Sequence, residues 1–152
     1  MKICFIASSG GHWEELMCLR EIAAENDCFF VTEKGGQAEE FGNKYPIYVL
    51  EKIDRKEKHF LKNFFRLFRN SKKILREEEP DVVITTGALL AYPFCVRAKF
   101  MKKKVIYIES FARINELSLT GKLVYRLADD FVVQWPSLKE KYKKAKYFGG
   151  IF

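Results

Sequence analysis

Short runs of almost wholly apolar residues recur along the chain, and they constrain its fold more than any other feature of the sequence. These runs lack the polar and apolar alternation of a half-exposed strand, and they are typical of strands that are buried on both faces of a parallel sheet. Because segments with helical features separate most of them, the sequence predicts an α/β fold with a Rossmann-like, doubly wound parallel sheet. The strands are expected at residues 2–7, 28–32, 47–50, 81–85, 105–108 and 131–134.

The segments between the strands differ in how clearly they predict helices. The longest, residues 58–79, is amphipathic and is ended by Pro80. Residues 34–44 are polar, contain adjacent glycines and are expected to form a loop, and residues 109–120 are expected to be irregular. The remaining helices are expected at 13–24, 88–101, 122–127 and 137–146.

Length and composition exclude several classes of protein. A chain of 152 residues with 48% hydrophobic content is enough for one compact domain, which we expect to span residues 1–152. No apolar run approaches the roughly 20 residues of a spanning helix, and the N-terminus lacks the long apolar core of a signal peptide. The four cysteines form no CxxC pair and the two histidines are far apart, so neither a metal site nor a bound cofactor is expected.

The chain is basic, with 27 Lys and Arg against 20 Asp and Glu. This charge favours an anionic partner such as nucleic acid, an acidic membrane or a phosphorylated substrate. The nucleic-acid alternative rests on that charge and on aromatic residues mixed with Lys and Arg, but no RRM, KH or helix-turn-helix signature supports it. Charge alone does not choose among these partners.

Polar residues follow several of the expected strands, at the edge where ligands bind in open parallel sheets. The stretches are SSGGH (8–12), TTGA (85–88), ESFAR (109–113) and Gln134-Trp135. Glycines at a strand-to-helix turn let a ligand approach the backbone closely, and the first N–H groups of a helix favour an anion. The alternative is that these glycines only permit tight packing, since SSGGH is neither a GxGxxG motif nor a P-loop.

Two side chains at this edge are candidates for general-base chemistry. His12 carries an imidazole, whose ordinary pKa of about 6.5 lies near cytosolic pH. Glu109 follows an apolar strand into the same cleft. Each has an alternative reading, because His12 could only cap or pack and Glu109 could be an ordinary carboxylate at the end of a strand.

The long basic helix also has two readings. In one, its Phe and Leu residues cover the sheet while its Lys and Arg residues are simply solvated. In the other, the basic face holds the domain on an anionic membrane, at about 1 kcal/mol per Lys or Arg near the lipid. The two readings are compatible if the membrane is bound without insertion.

The combination of motifs resembles a known family. FIASSGGHWEEL (5–16), ITTGALLAYPF (84–94), KKVIYIESFAR (103–113) and YFGGIF (147–152) are similar to the acceptor-side subunit of the two-part UDP-GlcNAc transferase of asparagine-linked glycosylation. They resemble still more closely the CpsF/PssD/EpsE-type proteins of bacterial capsule and exopolysaccharide synthesis. The resemblance runs over essentially the whole chain.

This resemblance implies one half of a split GT-B glycosyltransferase, similar to the N-terminal half of a MurG-type enzyme. A small partner subunit would hold the UDP-sugar, and this chain would bind the polyprenyl-diphosphate-linked acceptor at the cytoplasmic face of a bacterial membrane. Eukaryotic members carry an N-terminal anchor, whereas this chain begins at its first strand, so peripheral attachment is expected. The alternative is a recruitment subunit with every catalytic group on the partner.

The resemblance also implies roles for particular residues, and no metal. SSGGH corresponds to the family's glycine-rich loop, which meets the acceptor diphosphate, and His12 corresponds to that loop's histidine. His12 or Glu109 would take the proton from the acceptor hydroxyl. The expected acceptor-binding residues are Ser9, Gly10, Gly11, Thr86, Gly87, Ser110 and Arg113, and the expected membrane-facing or partner-facing residues are Phe64, Phe65, Arg66, Arg69, Lys73 and Phe152.

Overall fold

The computed structural model describes residues 1–35 and 44–152 of the chain. Strands and helices alternate along most of this length. The elements are β1 (Lys2–Ile6), α1 (Gly11–Met17), α2 (Arg20–Glu25), β2 (Asp27–Glu33), β3 (Ile47–Leu50), α3 (Phe60–Glu78), β4 (Val82–Thr85), α4 (Ala91–Phe100), β5 (Lys104–Ile108), α5 (Leu119–Val124), β6 (Asp130–Val133), α6 (Pro136–Lys141) and β7 (Lys146–Tyr147).

The strands form one seven-stranded sheet in the order β3-β2-β1-β4-β5-β6-β7. Every pair of neighbouring strands is parallel. The direction of strand addition reverses between β1 and β4. The chain places β2 and β3 on one side of β1, and it then places β4 to β7 in succession on the other side. The predicted Rossmann-like, doubly wound sheet is confirmed, and the β1/β4 boundary is its switch point, where such sheets bind ligands.

Two hydrophobic clusters lie on opposite faces of the sheet. Alternate residues of β1 belong to different clusters. Cys4 and Ile6 lie in the first, and Ile3 and Phe5 lie in the second. The first cluster also takes its members from α3, α4, α5 and α6, and the second takes them from α1 and α2. The apolar strands therefore have both faces covered, as their lack of alternation predicts.

The predicted single helix over 13–24 is wrong in one respect. It is divided into α1 and α2 by a turn at Cys18 and Leu19, where the N–H groups bond carbonyls only three residues back, at Glu15 and Leu16. This tightening ends α1 and lets α2 start in a new direction.

The face of α3 also differs from the prediction. Leu61 and Phe65 are 71% and 74% exposed, so they do not cover the sheet. Phe64 is half-buried and its ring stacks on Tyr92 of α4 at 6.4 Å between centroids. The fully buried residues of the helix lie in its middle and C-terminal parts, and they are Leu67, Ser71, Ile74 and Leu75.

Smaller differences lie near the C-terminus. The sequence predicts a helix over 137–146, whereas α6 ends at Lys141 and the chain adds the edge strand β7 beside β6. The predicted helix over 122–127 begins earlier, at Leu119, where the Ser118 side chain accepts a hydrogen bond from the Gly121 N–H. Most of the loop predicted at 34–44 lies outside the described residues, because residues 36–43 are not among them.

Candidate functional site

His12 and Thr86 join the two strand-to-helix connections at the switch point. His12 lies in the first turn of α1, and Thr86 directly follows β4. The His12 Nδ1 atom lies 2.9 Å from the Thr86 carbonyl oxygen, and the Thr86 hydroxyl donates to the His12 carbonyl oxygen at 2.7 Å. Residues that are 74 positions apart in the sequence are thus held together by two reciprocal hydrogen bonds.

The first of these bonds fixes the tautomer of the imidazole. A carbonyl oxygen only accepts hydrogen bonds, so the Nδ1 atom of His12 carries the hydrogen. In the neutral ring the Nε2 atom then has a lone pair, and this atom makes no hydrogen bond within the described part of the chain. His12 is half-buried, and the bond to Thr86 orients its ring so that Nε2, which has no partner among the described residues, is the nitrogen that can take up a proton.

Glycine is required at the point where the second connection passes the imidazole. Gly87 has φ +110, and a Cβ atom there would lie 3.0 Å from the Tyr107 hydroxyl oxygen and 3.3 Å from His12 Cε1. The Gly87 N–H donates to the Thr85 side-chain oxygen at 3.0 Å. A side chain at this position would therefore press on the imidazole as well as strain the backbone.

The turn at Gly10 and Gly11 leaves open space above the backbone. Gly10 has φ +88 and ψ −146, a conformation that is essentially restricted to glycine. A Cβ atom built on either glycine would meet no atom within 4 Å. Tight packing therefore does not explain this pair, and a ligand can approach the backbone closely.

Glu109 does not lie in the open part of the cleft. The residue is 0% exposed, its Oε1 atom accepts from Ser110 N at 3.0 Å, and its Oε2 atom accepts from Ser118 N at 2.9 Å. Burial raises the pKa of this carboxyl, while the hydrogen bonds from Ser110 and Ser118 oppose the rise. These contacts connect β5 to the start of α5. Direct action of Glu109 on an acceptor stays a prediction, and the burial of its carboxyl group does not support it.

Thr86 and Ser110 are likewise committed to internal contacts. Thr86 is 0% exposed and bonds only His12 among the described residues, while the Ser110 hydroxyl donates to Glu15 Oε1 at 2.8 Å. Arg113, by contrast, is exposed in the loop after β5. Of the expected acceptor-binding residues, the structure therefore presents Gly10, Gly11 and Arg113 at the surface, leaves Ser9 half-buried and buries Gly87. It uses the side chains of Thr86 and Ser110 to hold the loops.

Glu15 is a buried polar residue that no sequence motif singles out. It is 4% exposed, and its Oε1 atom accepts from Phe111 N at 3.1 Å as well as from Ser110. Its Oε2 atom accepts from Gln134 Nε2 at 3.3 Å, and Gln134 Oε1 accepts from Ile151 N at 3.0 Å. One carboxylate thus ties α1 to the ends of β5 and β6. The one sequence feature that indicates burial of Glu15 is its helical spacing from His12, Leu16 and Leu19. In a helix this spacing places all four residues on one face.

The residues expected to face a membrane or partner do not form one surface. Phe65 is exposed on α3 together with Arg66, Arg69 and Lys73, whereas Phe64 turns inwards to α4. Phe152, at the other end of the chain, is 68% exposed and packs edge-on against Phe111 at 5.5 Å between ring centroids.

Comparison with known proteins decides the family. The profile of the family described as "Oligosaccharide biosynthesis protein Alg14 like" matches residues 57–151. The "UDP-N-acetylglucosamine transferase subunit ALG14" of Mus musculus is 31% identical over 180 residues, covering 99% of this chain and 83% of that protein. The chain belongs to the Alg14-like family. The Homo sapiens protein of the same name is 28% identical, with the same coverage of both chains.

Solved structures agree with an Alg14-like chain on the fold. MurG of Acinetobacter baumannii superposes with a TM-score of 0.74 at 14% identity, covering 90% of this chain and 42% of that one. A UDP-N-acetylglucosamine 2-epimerase superposes with a TM-score of 0.76 at 12% identity, covering 98% of this chain and 47% of that one. The Alg14-like chain therefore spans less than half of either larger protein, and it has the fold of one part of each.

Within the described residues, none of the Alg14-like chain's helices combines the length and apolar character needed to span a bilayer. Over the same ranges, His, Cys, Asp and Glu side chains form no group of three that could hold a metal ion. The geometry instead offers an oriented imidazole beside open backbone.

Proposed function

We propose that this chain is the acceptor-binding subunit of a two-component glycosyltransferase. A partner subunit holds a UDP-sugar, and the sugar is transferred to a hydroxyl of a sugar that is already linked to a polyprenyl diphosphate. The observation that carries the proposal is the orientation of His12, whose Nδ1–H is fixed by the Thr86 carbonyl while Nε2 remains available. The UDP-sugar assignment draws on the mouse and human relatives, which are named as subunits of a UDP-N-acetylglucosamine transferase.

The proposed reaction uses the two halves of the site differently. The acceptor hydroxyl attacks the anomeric carbon of the donor sugar, the bond from that carbon to the UDP oxygen breaks, and the hydroxyl proton passes to His12 Nε2. The diphosphate of the acceptor lies over the open backbone at Gly10 and Gly11, and the exposed Arg113 adds a positive charge at the same edge of the sheet. Glu15 and Glu109 keep the surrounding loops in place without touching the substrates.

The proposed biological setting is the synthesis of a surface polysaccharide in a bacterium. The resemblance to capsule and exopolysaccharide proteins favours action at the cytoplasmic face of a bacterial membrane, whereas the relatives compared above are mammalian proteins of the Alg14-like family. The shared chemistry is transfer to a lipid-linked sugar, and it is independent of the pathway that uses the product.

Reconstitution tests the proposed activity directly. The tagged chain is isolated in mild detergent from its own cells together with its complex, and also alone from an unrelated host. We expect transfer of label from UDP-N-acetylglucosamine to a polyprenyl-diphosphate-linked sugar by the complex, and little or none by the chain alone, because the donor half of the site is on the partner. Absence of transfer by the intact complex, with several UDP-sugars, would contradict the proposal.

Membrane binding is proposed to run through α3. Exposed Leu61 and Phe65 stand beside exposed arginines and lysines on this helix, which is the composition of a surface that binds anionic lipid. We expect the triple variant Arg66→Gln, Arg69→Gln, Lys73→Gln to bind vesicles containing anionic lipid about 100-fold more weakly, at about 1 kcal/mol per charge. Co-sedimentation measures the change. The matched control removes three exposed charges elsewhere, at Arg20, Arg126 and Lys143, and equal loss in both variants would show that only net charge matters.

A further inference from the structure

A cavity of about 180 Å³ lies beside the His12 site at the carboxyl end of the sheet. It is smaller than the roughly 300 Å³ at which pockets for drug-sized ligands begin, so it has room for one small ring and not for a nucleotide. Its lining residues come from the ends of β1 and β2, from the segment after β3, from α3 and from the segment before α4. They are Ser8, Glu33, Glu51, Ile53, Leu67, Ala88, Leu89 and Leu90.

The cavity is continuous with the proposed acceptor site along the chain. Ser8 precedes the turn at Gly10 and Gly11, and Ala88 follows Gly87, where an added Cβ atom would lie 3.3 Å from His12 Cε1. The Ser9 hydroxyl donates to Glu33 Oε1 at 3.5 Å, so the glycine turn and the cavity wall are in contact. A ligand with its charged group over Gly10 could thus place an adjacent ring in this cavity.

The chemistry of the walls favours a sugar over other parts of such an acceptor. Ile53, Leu67 and Leu89 supply apolar surface, and Glu33 and Glu51 supply carboxylates, which accept hydrogen bonds from hydroxyl groups. A diphosphate would be repelled by the two carboxylates, and a polyprenyl chain would desolvate them without offering any hydrogen bond. A pyranose ring fits both parts of the lining, because its hydroxyl groups donate hydrogen bonds to the carboxylates and its C–H faces pack on the apolar side chains.

Glu33 is the better placed of the two carboxylates. It is half-buried, whereas Glu51 is exposed and forms an ion pair with Lys34. Burial raises the pKa of the Glu33 carboxyl, while the positive charge of Lys52 and the Ser9 hydroxyl oppose the rise. Glu33 thus lines the cavity with a half-buried carboxyl group, of which Oε1 accepts from Ser9, and the proposed reaction otherwise gives it no role.

We propose that this cavity is the subsite for the hexopyranose ring of the acceptor, and that Glu33 binds that ring by accepting hydrogen bonds from its hydroxyl groups. This inference rests on the proposed function and adds where the sugar lies. The acceptor then occupies two adjacent subsites. Its diphosphate lies over the turn at Gly10 and Gly11, and its sugar lies in the cavity, on the α3 side of Ser9.

The first test measures the kinetics of the assembled complex. We expect Glu33→Gln to raise the KM for the lipid-linked acceptor by about 10- to 100-fold, which corresponds to the loss of a hydrogen bond to a charged group. The KM for the UDP-sugar should not change. Leu89→Trp, which fills the cavity without altering its charge, should raise the same KM, and Glu25→Gln, at an exposed position on α2, serves as the control. An unchanged acceptor KM in both cavity variants would overturn the proposal.

The second test needs no transfer, so it separates this inference from the proposed function. The full chain labelled with ¹⁵N is titrated with free N-acetylglucosamine, with glucose and with inorganic pyrophosphate. We expect a monosaccharide to shift the amide signals of Ser8, Leu89 and Leu90, and Glu33→Gln to abolish those shifts. Shifts at these residues from pyrophosphate alone, or no shifts from either sugar, would refute the sugar subsite. A complex that transfers no sugar while the monosaccharide shifts persist would refute the proposed function alone.

Discussion

We expect replacement of His12 by alanine to lower kcat of the assembled transferase by about 10²- to 10⁴-fold, the usual contribution of a positioned general base. The physical reason is the loss of the one imidazole whose tautomer is fixed by the Thr86 carbonyl at 2.9 Å. KM for both substrates should change little, because the ring acts on the proton and not on the sugars. Initial rates of label transfer measure kcat, and thermal unfolding measures the cost of leaving the Thr86 carbonyl without its donor, about 1 kcal/mol.

Two further variants separate chemistry from structure at this position. His12→Asn can still donate to the Thr86 carbonyl, but it supplies no base, so it should recover stability without recovering kcat. His59→Ala removes the other histidine, which is exposed just before α3, and it should leave kcat unchanged. If His12→Ala assembles and transfers at the wild-type rate, the catalytic assignment is wrong, and the chain is a recruitment subunit whose partner carries every catalytic group.

The fold was accessible from the sequence because its strands have a strong local signature. VVIT in β4 is almost wholly apolar, as is KVIYI in β5 after its first lysine, and a strand of that kind needs a sheet covered on both faces. The edge strand β7 was not accessible, since Lys146 and Tyr147 are both exposed and carry no apolar pattern. Its position depends on pairing with β6, which is a tertiary property.

Part of the candidate site followed from topology alone. Strand ends of a parallel sheet meet at one edge, so His12 and the Thr86–Gly87 connection could be expected near each other, and the contact at 2.9 Å agrees with that expectation. The roles of Glu15 and Glu109 could not be derived in the same way. A glutamate in a helix or at the end of a strand usually reaches solvent. Burial of these two carboxylates is tolerable because of donors that the local sequence does not reveal, among them Ser110 and Gln134 for Glu15 and Ser118 for Glu109.

The exposed aromatic residues illustrate another limit of sequence patterns. A helical wheel places Phe64 and Phe65 on the same half of α3, yet one packs on Tyr92 and the other is 74% exposed. A helical wheel gives the angle of each side chain around the helix axis. It does not show how much of the apolar half of the helix a neighbouring element covers. Here α4 is the neighbour that covers Phe64, and the next residue along the helix lies beyond it.

The largest effect on stability is expected at Gly121. A Cβ atom at this position would lie 2.0 Å from Glu109 Oε2, far inside contact distance, so alanine must displace a carboxylate that is fully buried. Displacement breaks the bonds that Glu109 accepts from the Ser118 N–H and hydroxyl, at 2.9 and 3.1 Å. A buried charge that loses partners costs about 3–5 kcal/mol, and the helix propensity of alanine recovers about 1 kcal/mol. We therefore expect Gly121→Ala to lower the free energy of unfolding in urea by about 2–4 kcal/mol.

A double-mutant cycle shows whether the carboxylate is the cause. In a Glu109→Ala background the closest contact is gone and only Ser118 Oγ, 3.1 Å from the added Cβ atom, still crowds position 121. The additional cost of Gly121→Ala should then fall to about 1 kcal/mol or less, so the two changes should be strongly non-additive. Gly11→Ala is the control, because a Cβ atom on this helical glycine would meet no atom within 4 Å. Its unfolding free energy should stay the same or rise by up to about 1 kcal/mol, from helix propensity alone. Additive costs in the cycle would mean that Gly121 is required for a reason other than room for Glu109. Non-additive costs would establish that the buried carboxylate and the first turn of α5 act as one unit in holding the loop after β5.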